Sequence, residues 1–110
     1  MTKDTEELKE FILACLEEKK ADNIDVIDLR GRNKLADYII FASGRSTKNV
    51  GAIAEYVALE LKQKANINTS IEGLGKSEWV LIDARTILIN IFYPEARTHF
   101  KLEEMWKVKT

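Results

Sequence analysis

The chain has 110 residues, of which 45% are hydrophobic and 32% are charged, values typical of one folded domain rather than of a disordered or membrane-spanning chain. Its formal net charge of −1 argues against a protein that binds nucleic acid mainly by neutralising phosphates. A single cysteine excludes an internal disulfide and is typical of a reducing compartment.

No targeting segment is predicted at the N-terminus. Asp4, Glu6 and Glu7 place acid where a signal peptide would be basic and then apolar, and transit peptides are also poor in acids. No apolar run approaches the roughly 20 residues that span a bilayer. We therefore expect a soluble, cytoplasmic protein with one domain over residues 1–110 and no membrane contact.

An amphipathic helix is predicted near the start of the chain. Leu8, Ile12 and Cys15 recur at helical spacing and form one apolar stripe. Asp4, with Glu7 three residues later, resembles a capping box and is the predicted N-cap. Cys15 lies in the stripe, so we interpret it as a small core residue rather than a nucleophile.

Two strands and a second helix follow. Residues 24–29 are rich in β-branched side chains, and residues 38–42 are apolar at both alternations, which predicts a strand covered on both faces. Gly44 then breaks the pattern, and Ser46 or Thr47 is the predicted N-cap of a helix. The apolar stripe of this helix contains Val50, Ile53, Ala54, Val57, Ala58 and Leu61. Strand, tight turn and helix in that order favour a crossover and some parallel pairing.

Three further strands are predicted in the second half, over residues 67–71, 79–83 and 86–93. Ala84 and Arg85 are expected to form the two-residue turn of a hairpin. In the resulting register Trp79 pairs with Asn90. After Pro94, the apolar spacing within residues 102–106 predicts a short last helix. The fold class is therefore α/β, a single domain with a mixed sheet of about five strands and helices packed on it.

Alternation along the hairpin separates two sets of side chains. One set is aliphatic and is predicted to lie under the helices: Val80, Ile82, Ile87, Ile89 and Ile91. The other set, which we name the mixed face, contains Trp79, Leu81, Asp83, Thr86, Leu88, Asn90 and Phe92. Large apolar groups exposed in one patch favour a partner surface. The alternatives are that the C-terminal segment folds back over this face, or that the face pairs with its own copy in a homodimer.

The sequence offers little catalytic chemistry. His99 is the only histidine, and neither a Walker loop nor a dinucleotide fingerprint is present, so we expect no metal and no cofactor. One arrangement favours an enzyme, because a turn from Gly44 to Ser46 before a helix suits a phosphate and Asp37 and Asp83 suit magnesium. Nucleotidyltransferases usually carry two carboxylates on one strand, whereas each strand here offers one. A small nucleotide-binding nucleotidyltransferase-like enzyme remains the alternative function.

Several segments together resemble the ribosomal silencing factor (Iojap-related) family. They are residues 37–46, 72–73, 79–83, 91–92, 97 and 102–106. Each is weak alone, but their order and spacing are retained from the first helix to Trp106. The resemblance implies a nucleotidyltransferase-like topology that has lost the catalytic acids, and hence a protein that is not an enzyme.

The resemblance also implies a function. Members of this family bind the large ribosomal subunit at universal ribosomal protein fourteen (uL14), block joining of the small subunit, and so repress translation when nutrients are limiting. On that basis the mixed face is the expected partner site, with Trp79 as its anchor. The expected partner-binding residues are Trp79, Leu81, Asp83, Leu88, Asn90, Phe92 and Glu72. No specific contact with nucleic acid is expected.

The chain departs from the family pattern at three positions. Many relatives have His where this chain has Asn90, an aromatic residue where it has His99, and Leu where it has Met105. Asn90 retains hydrogen bonding but does not titrate, so pH-dependent binding through this position is not expected. The other two departures concern the packing of the terminal segment.

Overall fold

The structure is a computed structural model and describes residues 4–32 and 36–95. In chain order its elements are α1 (Thr5–Glu18), β1 (Asp22–Asp28), β2 (Tyr38–Ser43), α2 (Thr47–Ala65), β3 (Ser70–Glu72), β4 (Trp79–Ala84) and β5 (Ile87–Phe92). Neither helix within these ranges is long and apolar enough to cross a membrane. The helix predicted over residues 102–106, and with it any return of the C-terminal segment over the mixed face, lies outside the described residues.

Both helices begin where the sequence predicts. Ser46 is the N-cap of α2, because its Oγ accepts a hydrogen bond of 3.1 Å from the backbone N–H of Asn49. Asn66 ends α2 in the left-handed conformation, with φ 55°. Asp4 is the N-cap residue of α1, but its side chain makes no capping hydrogen bond. The predicted capping box is therefore wrong, although the helix start is right.

The five strands form one mixed sheet in the order β1-β2-β5-β4-β3. β2 and β5 run parallel, as the crossover through α2 predicts, and the other neighbours are antiparallel. Every residue of β2 is buried, which confirms the prediction of a strand covered on both faces. β3 begins at Ser70 rather than at residue 67, because the N–H of Ile67 donates to the carbonyl of Leu61 and holds Ile67 in the connection after α2.

The hairpin of β4 and β5 turns one residue later than predicted. Its two-residue turn consists of Arg85 and Thr86, and Arg85 adopts a φ of 61°, the left-handed conformation that matches the twist of paired strands. Trp79 consequently pairs with Phe92 instead of Asn90. The pairing differs by two residues, and an even slip leaves every paired side chain on its original face. The predicted separation into two faces is therefore confirmed for the paired residues of β4 and β5, although the predicted register is wrong. The assignment of Thr86 to the mixed face is also wrong, because Thr86 lies in the turn and its hydroxyl is 3.1 Å from that of Thr5 in α1.

The main core lies between the helices and one face of the sheet. Its strand residues include Tyr38, Ile40, Ala42, Val80, Ile82, Ile87, Ile89 and Ile91, all nearly or completely buried. Both α1 and α2 contribute their apolar stripes to the same cluster, and Cys15 is among the α1 residues. Burial raises the pKa of the Cys15 thiol to about 11, as expected of a core cysteine.

Candidate functional site

The strand register aligns the predicted site residues in rows across the sheet. Glu72 of β3 pairs with Leu81 of β4, and Leu81 pairs with Asn90 of β5. Asn90 in turn lies beside Phe41 of β2. This row runs from an exposed carboxylate through a half-buried leucine to two buried side chains.

A second row places the other acidic residue. Asp83 of β4 pairs with Leu88 of β5, and Leu88 lies beside Ile39 of β2. Asp83 is exposed, Leu88 is half-buried and Ile39 is fully buried. Glu72 and Asp83 therefore mark a polar rim, and the apolar part of the mixed face continues into β2 through Ile39 and Phe41.

An aromatic stack fixes Trp79 at the end of the mixed face. Its ring lies on Phe92 with centroids 5.6 Å apart, and Phe92 lies on Phe41 with centroids 6.1 Å apart. The indole Nε1–H donates a hydrogen bond of 2.8 Å to Oδ1 of Asn90. Phe92 and Asn90 are buried, with 1% and 6% of their surface exposed, while Trp79 is half-buried. The indole is thus held by one ring face and by its polar edge.

Two shallow grooves border the Trp79 indole. One has a volume of about 230 Å³ and is lined by Glu72, Gly73, Trp79 and Leu81. The other has a volume of about 410 Å³ and is lined by Gly73, Gly75, Lys76, Glu78 and Trp79. Trp79 is common to both, so the indole forms a ridge between two depressions that a partner's side chains can enter.

The loop between β3 and β4 builds one wall of these grooves, and the sequence analysis assigned it no role. Gly73 has a φ of 95°, and a Cβ there would lie 2.2 Å from the carbonyl oxygen of Trp79. The N–H of Ser77 donates to the carbonyl of Gly73, and its Oγ donates to the carbonyl of Leu74. Only glycine fits at position 73. A glycine directly after a strand, as Gly73 is after β3, is the signal that points to such a close approach.

The enzyme alternative requires an arrangement that the fold does not make. Gly44 and Ser46 follow the carboxyl end of β2, whereas Asp37 precedes its amino end, roughly 20 Å away at the rise of a strand. Asp83 pairs with Leu88 near the start of β5, which lies at the same end as Asp37. The turn suited to phosphate and the two acids therefore lie at opposite ends of the sheet.

These residues have structural explanations instead. A Cβ at Gly44 would lie 2.8 Å from the side chain of Val50, and Ser46 caps α2. Asp37 accepts a hydrogen bond of 3.1 Å from the Thr5 hydroxyl. Within residues 4–32 and 36–95, no group of three or more His, Cys, Asp or Glu side chains is placed to hold a metal ion.

A charged cluster that the sequence analysis missed joins α1 to the β1 edge. Arg30 contacts both carboxylate oxygens of Asp28, at 3.0 and 2.9 Å, and lies 3.4 Å from Glu6 of α1. These hydrogen bonds lower the pKa of Asp28 to about 2. The Tyr38 hydroxyl and Lys9 also donate to Glu6 and lower its pKa. The cluster lies away from the mixed face and fastens the first helix to the sheet.

A family comparison covers almost the whole chain. The sequence model of the family described as "Ribosomal silencing factor during starvation" matches residues 2–110. The chain belongs to this family. The resemblance drawn from residues 37–46, 72–73 and 79–83 is thereby confirmed.

Curated relatives and solved structures agree with this family. A ribosomal silencing factor RsfS of Zymomonas mobilis is 40% identical over 103 residues, covering 94% of this chain and 77% of that protein. One of Bacillus subtilis is 33% identical over 103 residues, covering 90% and 83%. A crystal structure of a Chromobacterium violaceum protein superposes with a TM-score of 0.90 at 28% identity, covering 96% of this chain and 88% of that one. The predicted fold class is confirmed.

Part of the pattern that carried the family resemblance lies outside the described residues. Arg97 and residues 102–106 belong to that part, as do the departures at His99 and Met105. The third departure, Asn90, lies inside the described sheet, where its hydrogen bond to Trp79 gives it a defined structural role.

Proposed function

We propose that this protein is a cytoplasmic ribosomal silencing factor that binds the large ribosomal subunit at ribosomal protein fourteen (uL14). Bound there, it sterically blocks joining of the small subunit and represses translation when nutrients are limiting. The observation that carries the proposal is the family match over residues 2–110. Steric blocking needs a binding surface and no catalysis, so the proposed mechanism requires no cofactor, metal or enzymatic activity. The proposed protein acts as a single domain.

We propose the mixed face, together with Glu72, as the surface that contacts the ribosomal protein. Trp79, Leu81 and Leu88 are half-buried and form its apolar centre, while Glu72 and Asp83 are exposed at the rim. An apolar centre with a polar rim is the usual composition of a protein–protein interface. Asn90 and Phe92 belong to the same surface and support Trp79 from below.

The bulk of the protein supports steric exclusion. The helices α1 and α2 pack on the opposite side of the sheet, so they project away from a partner bound at the mixed face. The protein measures 37 × 34 × 21 Å along its principal axes. A body of this thickness on the large subunit keeps the two subunit surfaces apart at that place.

Co-sedimentation with purified large subunits tests the proposal. We expect the wild type to travel with the large subunit and Trp79→Ala to bind roughly 30-fold more weakly or worse, since truncating an interface anchor costs about 2–4 kcal/mol. Leu59→Ser is the matched control, because Leu59 is 52% exposed on α2, on the other side of the sheet. Circular dichroism verifies that both variants fold.

Each outcome has a distinct meaning. If the wild type does not bind large subunits, the proposed function is wrong, and titration with nucleotide and magnesium then tests the enzyme alternative. If the wild type and Trp79→Ala bind equally, the function stands and the proposed surface is wrong. Light scattering at the assay concentration detects a homodimer, which would compete with the ribosome if it formed through the mixed face.

A further inference from the structure

We propose that Asn90 is a positioning residue: its side-chain oxygen holds the Trp79 indole in the orientation in which the indole meets the ribosomal partner. This inference rests on the proposed function and deepens it. It assigns Asn90 a role through Trp79 in place of the direct partner contact expected from the sequence.

The hydrogen bond between the two side chains selects one orientation of the indole. Indole has a single polar atom, the Nε1–H donor, and it donates to Oδ1 of Asn90 at 2.8 Å. Phe92 stacks on the ring at an interplanar angle of 14°. The stack alone does not fix the orientation of the indole, because either of its two apolar ring faces can lie on Phe92. The hydrogen bond removes that freedom, since only one orientation directs Nε1 at Asn90.

Burial argues against a direct contact between Asn90 and a partner. Only 6% of the surface of Asn90 is exposed, whereas Trp79 is half-buried and borders both grooves. Asn90 therefore offers a partner almost no surface. Its influence on binding passes through the indole that its amide holds.

The strand register makes this bond possible. Trp79 pairs directly with Phe92, so Asn90 is its diagonal neighbour, two residues earlier on β5. Diagonal neighbours are within reach of aromatic and long side chains. The direct position is thus left to the stacking phenylalanine, and the diagonal position supplies the hydrogen-bond acceptor.

Holding the indole before binding increases affinity. A side chain that is already fixed in its bound orientation loses less conformational freedom when the partner arrives. We expect Asn90→Leu, which has nearly the same size and lacks the acceptor, to weaken binding to large subunits about fivefold, the usual net effect of one hydrogen bond.

The first measurement uses the free, full-length protein. Nitrogen-15 NMR of the indole N–H groups, with Trp79 distinguished from Trp106 by a Trp106→Phe variant, reports the bond directly. We expect the Trp79 Nε1–H of the wild type to exchange slowly with water, and to shift upfield and exchange faster in Asn90→Leu. An unchanged Trp79 signal overturns the inference whatever the ribosome assay shows.

A double-mutant cycle then separates positioning from general stability. Trp79→Phe keeps an aromatic ring for the stack on Phe92 but removes the N–H donor. If Asn90 acts through that donor, Asn90→Leu weakens binding about fivefold in the wild type and causes no further loss in the Trp79→Phe background. An equal loss in both backgrounds overturns the inference, because it indicates a role independent of the indole.

Three further outcomes also decide the test. If Asn90→Leu does not fold by circular dichroism, Trp79→Phe alone carries the test, and unchanged affinity in that variant overturns the inference. If the wild type fails to bind large subunits, the proposed function fails and this inference falls with it. A wild type that binds, with no effect of Asn90→Leu, refutes the positioning role alone.

Discussion

At the scale of single residues, the groove beside Trp79 depends on a glycine that forms no part of the apolar surface. Gly73 has a positive φ of 95°, and a Cβ at this position would lie only 2.2 Å from the carbonyl oxygen of Trp79. Both features require the absence of a side chain. The wall of the groove is therefore specified by one backbone contact.

We predict that Gly73→Ala destabilises the protein by about 2 kcal/mol or more, because a non-glycine residue at this φ is strained and its Cβ displaces β4. Urea unfolding measures this change. Gly75→Ala in the same loop is the matched control, since nothing lies within 4 Å of a Cβ there, and we expect it to change stability by less than about 0.5 kcal/mol. Equal effects of the two substitutions would show that the close approach at Gly73 does not matter.

Residue-scale predictions from the sequence succeed where the signal is local and fail where it depends on register. Ser46 is recognisable as an N-cap because capping involves only the next three residues. The hydrogen bond from Trp79 to Asn90 is not predictable in its observed form, because it is diagonal and depends on where the hairpin turns. The hairpin turns at Arg85, which adopts the left-handed conformation. Arginine is not among the residue types that mark such a turn, so the position of the turn cannot be read from the sequence.

At the scale of elements, α2 depends on the cap at its first turn. The Ser46 hydroxyl satisfies the N–H of Asn49, which has no partner within the helix. We predict that Ser46→Ala lowers the free energy of unfolding by about 1 kcal/mol. Thr47→Ala, one residue further on and exposed, is the control and should have a much smaller effect. Thermal unfolding of both variants measures the difference, and a Thr47→Ala effect as large as that of Ser46→Ala would refute the capping role.

The attachment of α1 to the sheet edge should depend on pH. Hydrogen bonds from Arg30 hold the pKa of Asp28 at about 2, below its ordinary value of 3.8. Folding therefore favours the ionised form of Asp28. The stability that this preference adds to the folded state is fully present above about pH 4 and is lost as the pH falls towards 2. We expect the difference in unfolding free energy between the wild type and Asp28→Asn to shrink over that interval. The difference should be small because the pair is exposed, and a constant difference from pH 5 to 2 would contradict the assignment.

At the scale of the whole molecule, the periodicity of hydrophobic residues predicts the fold, whereas the composition of the site depends on which strands pair. Apolar stripes and alternation predict both helices, the five strands and the separation of the two hairpin faces, because burial on one side repeats along each element. They do not predict that Phe41 extends the mixed face, since that depends on the parallel pairing of β2 with β5. They also do not separate exposed members of the face from Asn90 and Phe92, which only packing in three dimensions buries.

The charge distribution of the whole molecule yields a prediction about how it finds its partner. Glu72 and Asp83 place two exposed carboxylates at the rim of the mixed face, although the chain as a whole has a net charge of only −1. Ribosomal proteins are generally cationic, so a local acidic rim favours the correct approach. Charges at an interface rim act mainly on the association rate and on its salt dependence.

We expect the double variant Glu72→Lys with Asp83→Lys to associate with large subunits at least about tenfold more slowly at low salt, with a weaker dependence on ionic strength. The matched control is Glu17→Lys with Glu55→Lys, which changes the net charge equally on exposed positions of α1 and α2. Because both variants gain the same overall attraction to ribosomal RNA, any difference in rate between them reports the rim itself. Stopped-flow measurement of association at two salt concentrations gives that comparison. Equal rates for the two double variants would mean that the acidic rim does not face the ribosomal protein.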